Sequence, residues 1–220
     1  METLTFGKCT KTILKKTFGL RQIWQSEQLD AWLTIAETQK IDAFERELLT
    51  RLQHTLIRRV DDWNEAELSE YFIGPIIALI DFNTEYFSAF TQRPLETEIG
   101  DYKLMGKPDM LVAKGETEPE IPYVCFQEYK KQIDPEGNPV YQALGEMLAA
   151  QELNPHPHPI YGVGVIGKLW HFILLDGHDY VVSPGFLADG DDLFSIVTIL
   201  KGLKGILVEI ARQDAEGKSE

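Results

Sequence analysis

Three residues in the middle of the chain have the types and spacing that phosphodiester hydrolysis requires. Asp109 stands at the entry to the apolar stretch 110–113, directly after a proline that cannot donate to a strand ladder. Glu128 and Lys130 end a second strand-like stretch, where alternation places both side chains on one face. The reaction needs carboxylates that hold a hard cation and a group that orients the attacking water. Asp109, Glu128 and Lys130 fit these roles.

The neighbours of Glu128 and Lys130 indicate that both charges need partners. Val124 and Phe126 are expected beside them, and an unpaired carboxylate is costly on an apolar face. A metal ion and Asp109 would supply the partners. The alternative is a solvent-facing Glu128–Lys130 ion pair, which would contribute little energy and no chemistry.

The composition predicts one globular domain with extensions. The chain has 220 residues, of which 44% are hydrophobic and 25% charged, enough to bury a core. Cys9 and Cys125 are far apart and belong to no zinc-binding pattern, so we expect neither a disulfide nor a zinc site, and Cys125 is expected in the core. We find no signal peptide or membrane span, and expect a cytoplasmic protein without membrane contact.

The charge is negative and unevenly distributed. The net charge is −14, with 10 Lys and Arg against 7 Asp and Glu in residues 1–60, but 11 against 28 in residues 61–220. Because Lys and Arg supply most nucleic-acid affinity, this balance argues against a tight, nonspecific coat on duplex DNA. The basic first segment could supply phosphate contacts that the rest lacks.

Hydrophobic periodicity predicts an α/β fold with a mixed central sheet flanked by helices. Helices are expected over about 26–37, 42–60, 64–80, 138–152 and 193–212, and strands over about 102–104, 110–113, 123–129, 161–166, 170–175 and 180–182. Pro75 is expected to bend the third helix or to start a new helical segment. Residues 1–62 are interpreted as a helical extension packed on a core of residues 63–213, and residues 214–220 as a disordered tail.

The pair Pro108-Asp109, followed by Glu128-Tyr129-Lys130, resembles the two halves of the motif of the PD-(D/E)XK nuclease superfamily. The resemblance implies a restriction-endonuclease-like αβββαβ core and a nuclease that depends on Mg²⁺, with Mn²⁺ as a substitute, and acts on DNA. It also implies that Asp109 and Glu128 bind the metal together with the backbone carbonyl of Tyr129. Lys130 would position the nucleophilic water.

Two flanking features extend the resemblance. Members of the superfamily place a glutamate on the helix before the sheet near the metal, which implies a catalytic and metal-binding role for Glu65 first and Glu70 second. A glutamine on the helix after the Glu-x-Lys strand corresponds to Gln142, which would orient the substrate or the metal ligands. Acids also favour a first helical turn through the helix dipole whatever the function, and Gln142 could be an ordinary helix-surface residue.

Two other functions are compatible with the same residues. The chain could be a catalytically inactive nuclease-like domain that binds nucleic acid or a protein partner, or an unrelated α/β binding domain with an accidental motif. A homodimer stays open, because symmetric nucleases cut two strands. His156 and His158 could form a two-histidine metal site, but no third ligand of the right kind lies nearby in the sequence.

Overall fold

The computed structural model describes residues 1–133, 135–155 and 158–216. The helices are α1 (Lys11–Phe18), α2 (Glu27–Ile35), α3 (Ala43–Arg59), α4 (Glu65–Leu68), α5 (Gly74–Ile80), α6 (Pro139–Leu153) and α7 (Asp192–Glu216). The strands are β1 (Glu2–Thr5), β2 (Arg21–Gln22), β3 (Ser88–Thr91), β4 (Leu95–Ile99), β5 (Tyr102–Gly106), β6 (Met110–Lys114), β7 (Glu120–Lys130), β8 (Ile160–Ile166), β9 (Leu169–Asp176), β10 (Asp179–Val182) and β11 (Phe186–Leu187).

The main sheet is mixed, and helices cover both of its faces. Its strand order is β2-β10-β9-β8-β7-β6-β3, and β11 pairs with β9. Strands β3, β6 and β7 pair antiparallel, whereas β7 and β8 run parallel with α6 as their crossover. The α/β class with a mixed sheet flanked by helices is therefore confirmed.

Strand alternation divides the core into two hydrophobic clusters, one on each face of the main sheet. In β9, Phe172 and Leu174 join the cluster beneath α2, α3, α5 and α7, whereas Ile173 and Leu175 join the cluster beneath α1 and α6. Cys125 is buried in the first of these clusters, as expected. The hydrophobic effect on both faces therefore fixes the positions of α5 and α6 relative to the strand ends.

Five strands, rather than the expected three, lie between α5 and α6. Strands β3 and β4 were not predicted: β3 has only four residues, and the alternation of two glutamates with Leu95, Thr97 and Ile99 in β4 is a strand signal that sequence reasoning missed. Strands β4 and β5 leave the main sheet and form a second, three-stranded sheet with β1, in the order β1-β5-β4. The strands that follow α5 in the main sheet are therefore β3, β6 and β7, before α6 and β8.

The first 62 residues contribute strands as well as helices. Strand β1 pairs in parallel with β5, and β2 pairs in parallel with β10, so this segment joins both sheets. Helix α1 was also not predicted. Its N-cap is Thr10, and Gly19 ends it in the left-handed conformation, with φ 71°.

Side-chain caps explain where the predicted helices begin. Ser26, Asp42, Asn64 and Asn138 each accept a hydrogen bond from a backbone N–H in the first turn of α2, α3, α4 and α6 respectively. The helix expected over 64–80 is interrupted by a π-helical turn at Ser69–Ile73, after which α5 begins with Pro75 in its first turn.

The last helix is longer than the sequence pattern indicated. Helix α7 continues to Glu216, into the predicted tail, while residues 217–220 lie outside the described residues. Over the described residues, none of the helices has the length and apolar character needed to cross a membrane.

Candidate metal centre

The pairing of β6 with β7 brings Asp109 to the end of the Glu-x-Lys strand. Met110, the first residue of β6, lies opposite Gln127 of β7. Asp109 therefore sits beside the last residues of β7, and its Oδ2 accepts a hydrogen bond of 2.8 Å from the backbone N–H of Tyr129. Two segments that are 20 residues apart in sequence thus meet at one edge of the main sheet.

Gln92 holds the second oxygen of Asp109. Its Nε2 donates to Asp109 Oδ1 over 2.7 Å, and its backbone N–H donates to the carbonyl of Pro108 over 3.1 Å. Gln92 has φ 53°, in the left-handed region that a non-glycine residue adopts at a cost of about 1–3 kcal/mol. Sequence reasoning missed this residue, because nothing in a Thr-Gln-Arg turn indicates a contact with a strand end 17 residues later.

Glu128 and Lys130 are buried together, so the interpretation of them as a solvent-facing pair is wrong. Their exposed fractions are 1% and 8%. Lys130 Nζ lies 3.6 Å from Glu65 Oε1 and 3.8 Å from Glu128 Oε2, both longer than a hydrogen bond. Gln142 Nε2 donates to Glu128 Oε1, whereas Glu128 Oε2 has no donor.

Glu146 is a further carboxylate at this centre that sequence reasoning missed. It lies one helical turn after Gln142 on α6 and is fully buried, and neither of its oxygens has a hydrogen-bond donor. The signal available in the sequence was an acidic residue with apolar residues directly before and after it in a predicted helix. A buried carboxylate without donors is unstable unless a proton or a cation neutralises it.

The proximity of these carboxylates shows in their pKa values. Burial raises the pKa of Glu128 to about 8, and the negative charge of Asp109 adds to the effect. Burial also raises the pKa of Glu146 well above its ordinary value, with the charge of Glu128 as the next cause. Without a cation at the centre, burial therefore favours the protonated, uncharged form of both side chains.

The acids on the helix before the sheet have separate places. Glu65 contacts Lys130, Glu67 accepts the Asn64 N–H in a capping box, and Glu70 is exposed. Glu65 and Glu70 both line an open cavity of about 530 Å³ that reaches Asp109 and Tyr129. Of the histidines considered earlier, His156 lies outside the described residues.

The residues present suit a hard divalent cation that keeps some of its water. Within the described residues, no three His, Cys, Asp or Glu side chains come close enough together to hold a metal ion. Mg²⁺ requires fewer, because it is typically bound through one or two carboxylates and retains several waters. Asp109 and Glu128 interact directly enough to shift the pKa of Glu128, and Glu128 Oε2 is free of donors. This donor set fits Mg²⁺ better than it fits zinc.

The N-terminal strand brings a lysine towards the same edge. Thr5 lies opposite Met105, and the ring of Phe6 packs on Gly106 so closely that a Cβ there would lie 2.5 Å from its Cδ2. Gly7 lies close to Gln142: a Cβ added to Gly7 would be 3.8 Å from Gln142 Oε1. The next residue is Lys8, which is exposed, as is Lys107 two residues before Asp109.

No protein-family model matches the chain, and a search of curated proteins found no relative.

Proposed function

We propose that the protein is a divalent-metal-dependent nuclease that hydrolyses phosphodiester bonds of DNA, with Mg²⁺ as the metal and Mn²⁺ as a substitute. The observation that carries the proposal is the meeting of Asp109, Glu128 and Lys130 at neighbouring strand ends, with Glu128 buried and one of its oxygens without a donor. A buried carboxylate in that state must be neutralised by a proton or a cation, and Asp109 and Lys130 beside it favour the cation of a hydrolytic centre.

The order of elements supports the same proposal. In the main sheet, α5 is followed by β3, β6 and β7, then by α6 and β8, which is the αβββαβ order expected from the resemblance to the PD-(D/E)XK superfamily. Strands β4 and β5 are an addition between β3 and β6 that forms the second sheet. Asp109 directly precedes the second strand of that order, and Glu128 lies on the third.

The metal ion would be held by Asp109 and Glu128 with the carbonyl of Tyr129, and it would supply Lewis-acid stabilisation of charge on the phosphoryl oxygens. Gln142 orients Glu128 through its amide, and Gln92 and the Tyr129 N–H orient Asp109. These hydrogen bonds fix the direction of the remaining oxygen lone pairs.

Lys130 would orient the attacking water. Its two carboxylate neighbours lie beyond hydrogen-bond distance, so its N–H groups are available to a water molecule. In the reaction the water oxygen forms a bond to phosphorus while one ester P–O bond breaks. The leaving oxygen takes up a proton, and each cleavage consumes one water.

The test compares cleavage of single- and double-stranded DNA and RNA in Mg²⁺, Mn²⁺ or EDTA. Asp109→Asn, Glu128→Gln and Lys130→Ala should each lower the rate by at least about 100-fold. Calorimetry should show that Asp109→Asn and Glu128→Gln also weaken Mg²⁺ binding, whereas Lys130→Ala should leave it in place.

Matched controls lie at the opposite end of the same strands. Glu116→Gln in the β6–β7 turn and Lys114→Ala at the end of β6 are exposed and should retain full activity. If the folded wild type cuts no substrate and binds no Mg²⁺, the nuclease proposal fails, and a non-catalytic nuclease-like domain that binds nucleic acid or a protein partner takes its place.

A further inference from the structure

A second, smaller cavity opens beside the candidate centre, on the side away from α6. It has a volume of about 260 Å³ and lies between α5 with its π-helical turn and strands β3 and β6. Its apolar walls come from Ile73, Ile77, Phe82, Ala89 and Met110. Asp109 and Tyr129 line both this cavity and the larger one, so a molecule bound here would reach the centre directly.

The acidic residues around the two cavities disfavour a phosphate except at the proposed metal, and the smaller cavity extends away from that metal. The ionisable lining residues with a formal charge are all acids, Asp81 and Asp109 in the smaller cavity and Glu65, Glu70 and Asp109 in the larger. No Lys or Arg appears among the described residues that line either cavity. The part of a nucleic acid that enters the smaller cavity is therefore not a phosphate but an uncharged part that offers hydrogen-bond donors.

The polar groups of the smaller cavity lie at its rim and are partly fixed. Asn83 donates to Asp81 Oδ1 over 3.0 Å and accepts from the backbone N–H of Ala89 over 3.0 Å, so its amide is committed to the loop. Three other polar groups of the lining can form hydrogen bonds with a ligand: the second carboxylate oxygen of Asp81 and the hydroxyls of Ser69 and Thr91. Apolar walls with a few convergent polar groups favour a flat ring with hydrogen-bonding edges.

We propose that this cavity receives the base of an unpaired nucleotide next to the cleaved phosphate, so that the substrate is single-stranded or locally unpaired. This inference rests on the proposed nuclease function. The base packs between Ile77 and Ala89, the partly exposed apolar residues of the cavity, while its phosphate reaches Lys130 and the proposed metal at Asp109 and Glu128. A base inside a duplex reaches the cavity only by leaving the stack, which costs a few kcal/mol.

The first experiment measures cleavage of one short sequence as a single strand, as a duplex, and as single strands with an abasic site at each position in turn. We expect the single strand to be cut at least about tenfold faster than the duplex. One abasic position, beside the cleaved bond, should lower the rate about 10- to 100-fold, the range of base-stacking contacts. Equal cutting of every strand and of the duplex would overturn the inference.

The second experiment fills the cavity. Ala89→Leu narrows the cavity from β3, and Ala78→Leu narrows it from α5. Because the two substitutions lie on different elements, at least one variant is expected to fold. Ala31→Leu, on the exposed face of α2, is the matched control. Each filled variant should cleave the intact strand about tenfold more slowly than the wild type does. On the strand with the abasic site that lowers the rate, the filled variants should cleave as fast as the wild type. Mg²⁺ binding by calorimetry should stay unchanged in all three.

Binding of the same strands, measured by fluorescence anisotropy in Ca²⁺, separates the two proposals. If the wild type does not cut, yet binds the intact strand about tenfold tighter than the abasic strand, the nuclease proposal fails and the base site stands. If the wild type cuts with Mg²⁺ but tolerates every abasic site and Ala89→Leu, the base site fails and the nuclease stands.

Discussion

At the scale of single residues, the burial of Glu128 and Glu146 dominates the chemistry of the centre. Together the two side chains have three oxygens without a donor, and Lys130 is too distant to hydrogen-bond to Glu128. Each buried carboxylate must therefore be neutralised by a proton or by a cation, and the two compete for the same oxygens. If the centre holds divalent metal as proposed, removal of the metal is coupled to proton uptake.

We predict that the metal-free protein becomes less stable as the pH rises. An unfolded glutamate loses its proton near pH 4.5, whereas Glu128 in the folded protein holds its proton to about pH 8. Below pH 4.5 the glutamate is protonated in both the folded and the unfolded protein, so the free energy of unfolding does not depend on its titration. Between the two pKa values the free energy of unfolding falls by up to about 1.4 kcal/mol per pH unit for each such group. Urea unfolding in EDTA from pH 5 to 8.5 measures the slope, and saturating Mg²⁺ should flatten it.

Glu146→Gln identifies the residues responsible for that slope. The amide does not ionise and can donate to the free oxygen of Glu128, so the variant in EDTA should show a shallower slope and exceed the wild type in stability at pH 8. Glu152→Gln, an exposed position on the same helix, should keep the wild-type slope. The same slope in both variants would contradict this account of Glu146.

The sequence could predict the main residues of the centre but not the residues that support them. Strand alternation places Glu128 and Lys130 on one face, and a proline before a strand marks Asp109, because both signals are local. Gln92 and Glu146 act through contacts that span 17 or 18 positions and depend on how α6 and the β3–β4 turn pack. No pattern around Gln92 indicates its contact, and the one local signal for Glu146, an acid among apolar helix residues, does not identify its partner.

At the scale of elements, the π-helical turn between α4 and α5 shapes the side of the centre that faces the cavities. Ser69, its first residue, lines both cavities, and Gly74 follows its last residue. A Cβ on Gly74 would lie 2.9 Å from the carbonyl oxygen of Ser69. Real Cβ atoms rarely approach so closely, so the turn depends on glycine here for space and not for its φ, which is an ordinary −55°.

Two glycine substitutions test this dependence. Gly205→Ala lies on the exposed part of α7 with nothing within 4 Å, so it should stabilise the protein by about 0.5–1 kcal/mol through helix propensity. Gly74→Ala has the same propensity gain but should destabilise by about 1–2 kcal/mol, because the backbone must shift. Urea unfolding of both variants gives the difference; stabilisation by Gly74→Ala would show that the turn adjusts freely.

Element prediction succeeded where caps and periodicity agree and failed where strands are short. The strands from β5 to β10 and the helices from α2 to α7 follow strong local patterns, and polar N-caps mark the starts of four of them. Strands β1, β2, β3 and β4 have two to five residues each and owe their conformation to a partner strand. Their pairing therefore had to come from the tertiary structure.

At the scale of the whole molecule, the net charge of −14 opposes binding to a polyanion, so the positions of the few cations near the centre matter. Lys8 and Lys107 are both exposed. Lys8 directly follows the segment that packs on Gly106 and Gln142, and Lys107 directly precedes Pro108 and Asp109. Neither forms an ion pair with a residue that the structure describes. If the protein is a nuclease as proposed, both are available to phosphates of the substrate near the centre.

We predict that Lys8→Ala with Lys107→Ala weakens binding of a single strand and lowers its salt dependence. Two lost phosphate contacts should reduce the slope of log affinity against log salt concentration by about 1.4. Lys40→Ala with Lys114→Ala removes the same charge from exposed positions elsewhere and should leave the slope nearly unchanged. Equal slopes in the two double variants would mean that only the net charge matters.

The parallel pairing of β1 with β5 also constrains how the chain reaches its native state. Glu2 pairs with Tyr102, about a hundred positions later, so the first strand leaves the ribosome long before its partner exists. Strand β5 leads directly into Asp109, and Phe6 and Gly7 pack against Gly106 and Gln142. Because such distant contacts pay their loop-closure entropy before they gain any stability, we expect the edge that holds the centre to be among the last parts to assemble during folding.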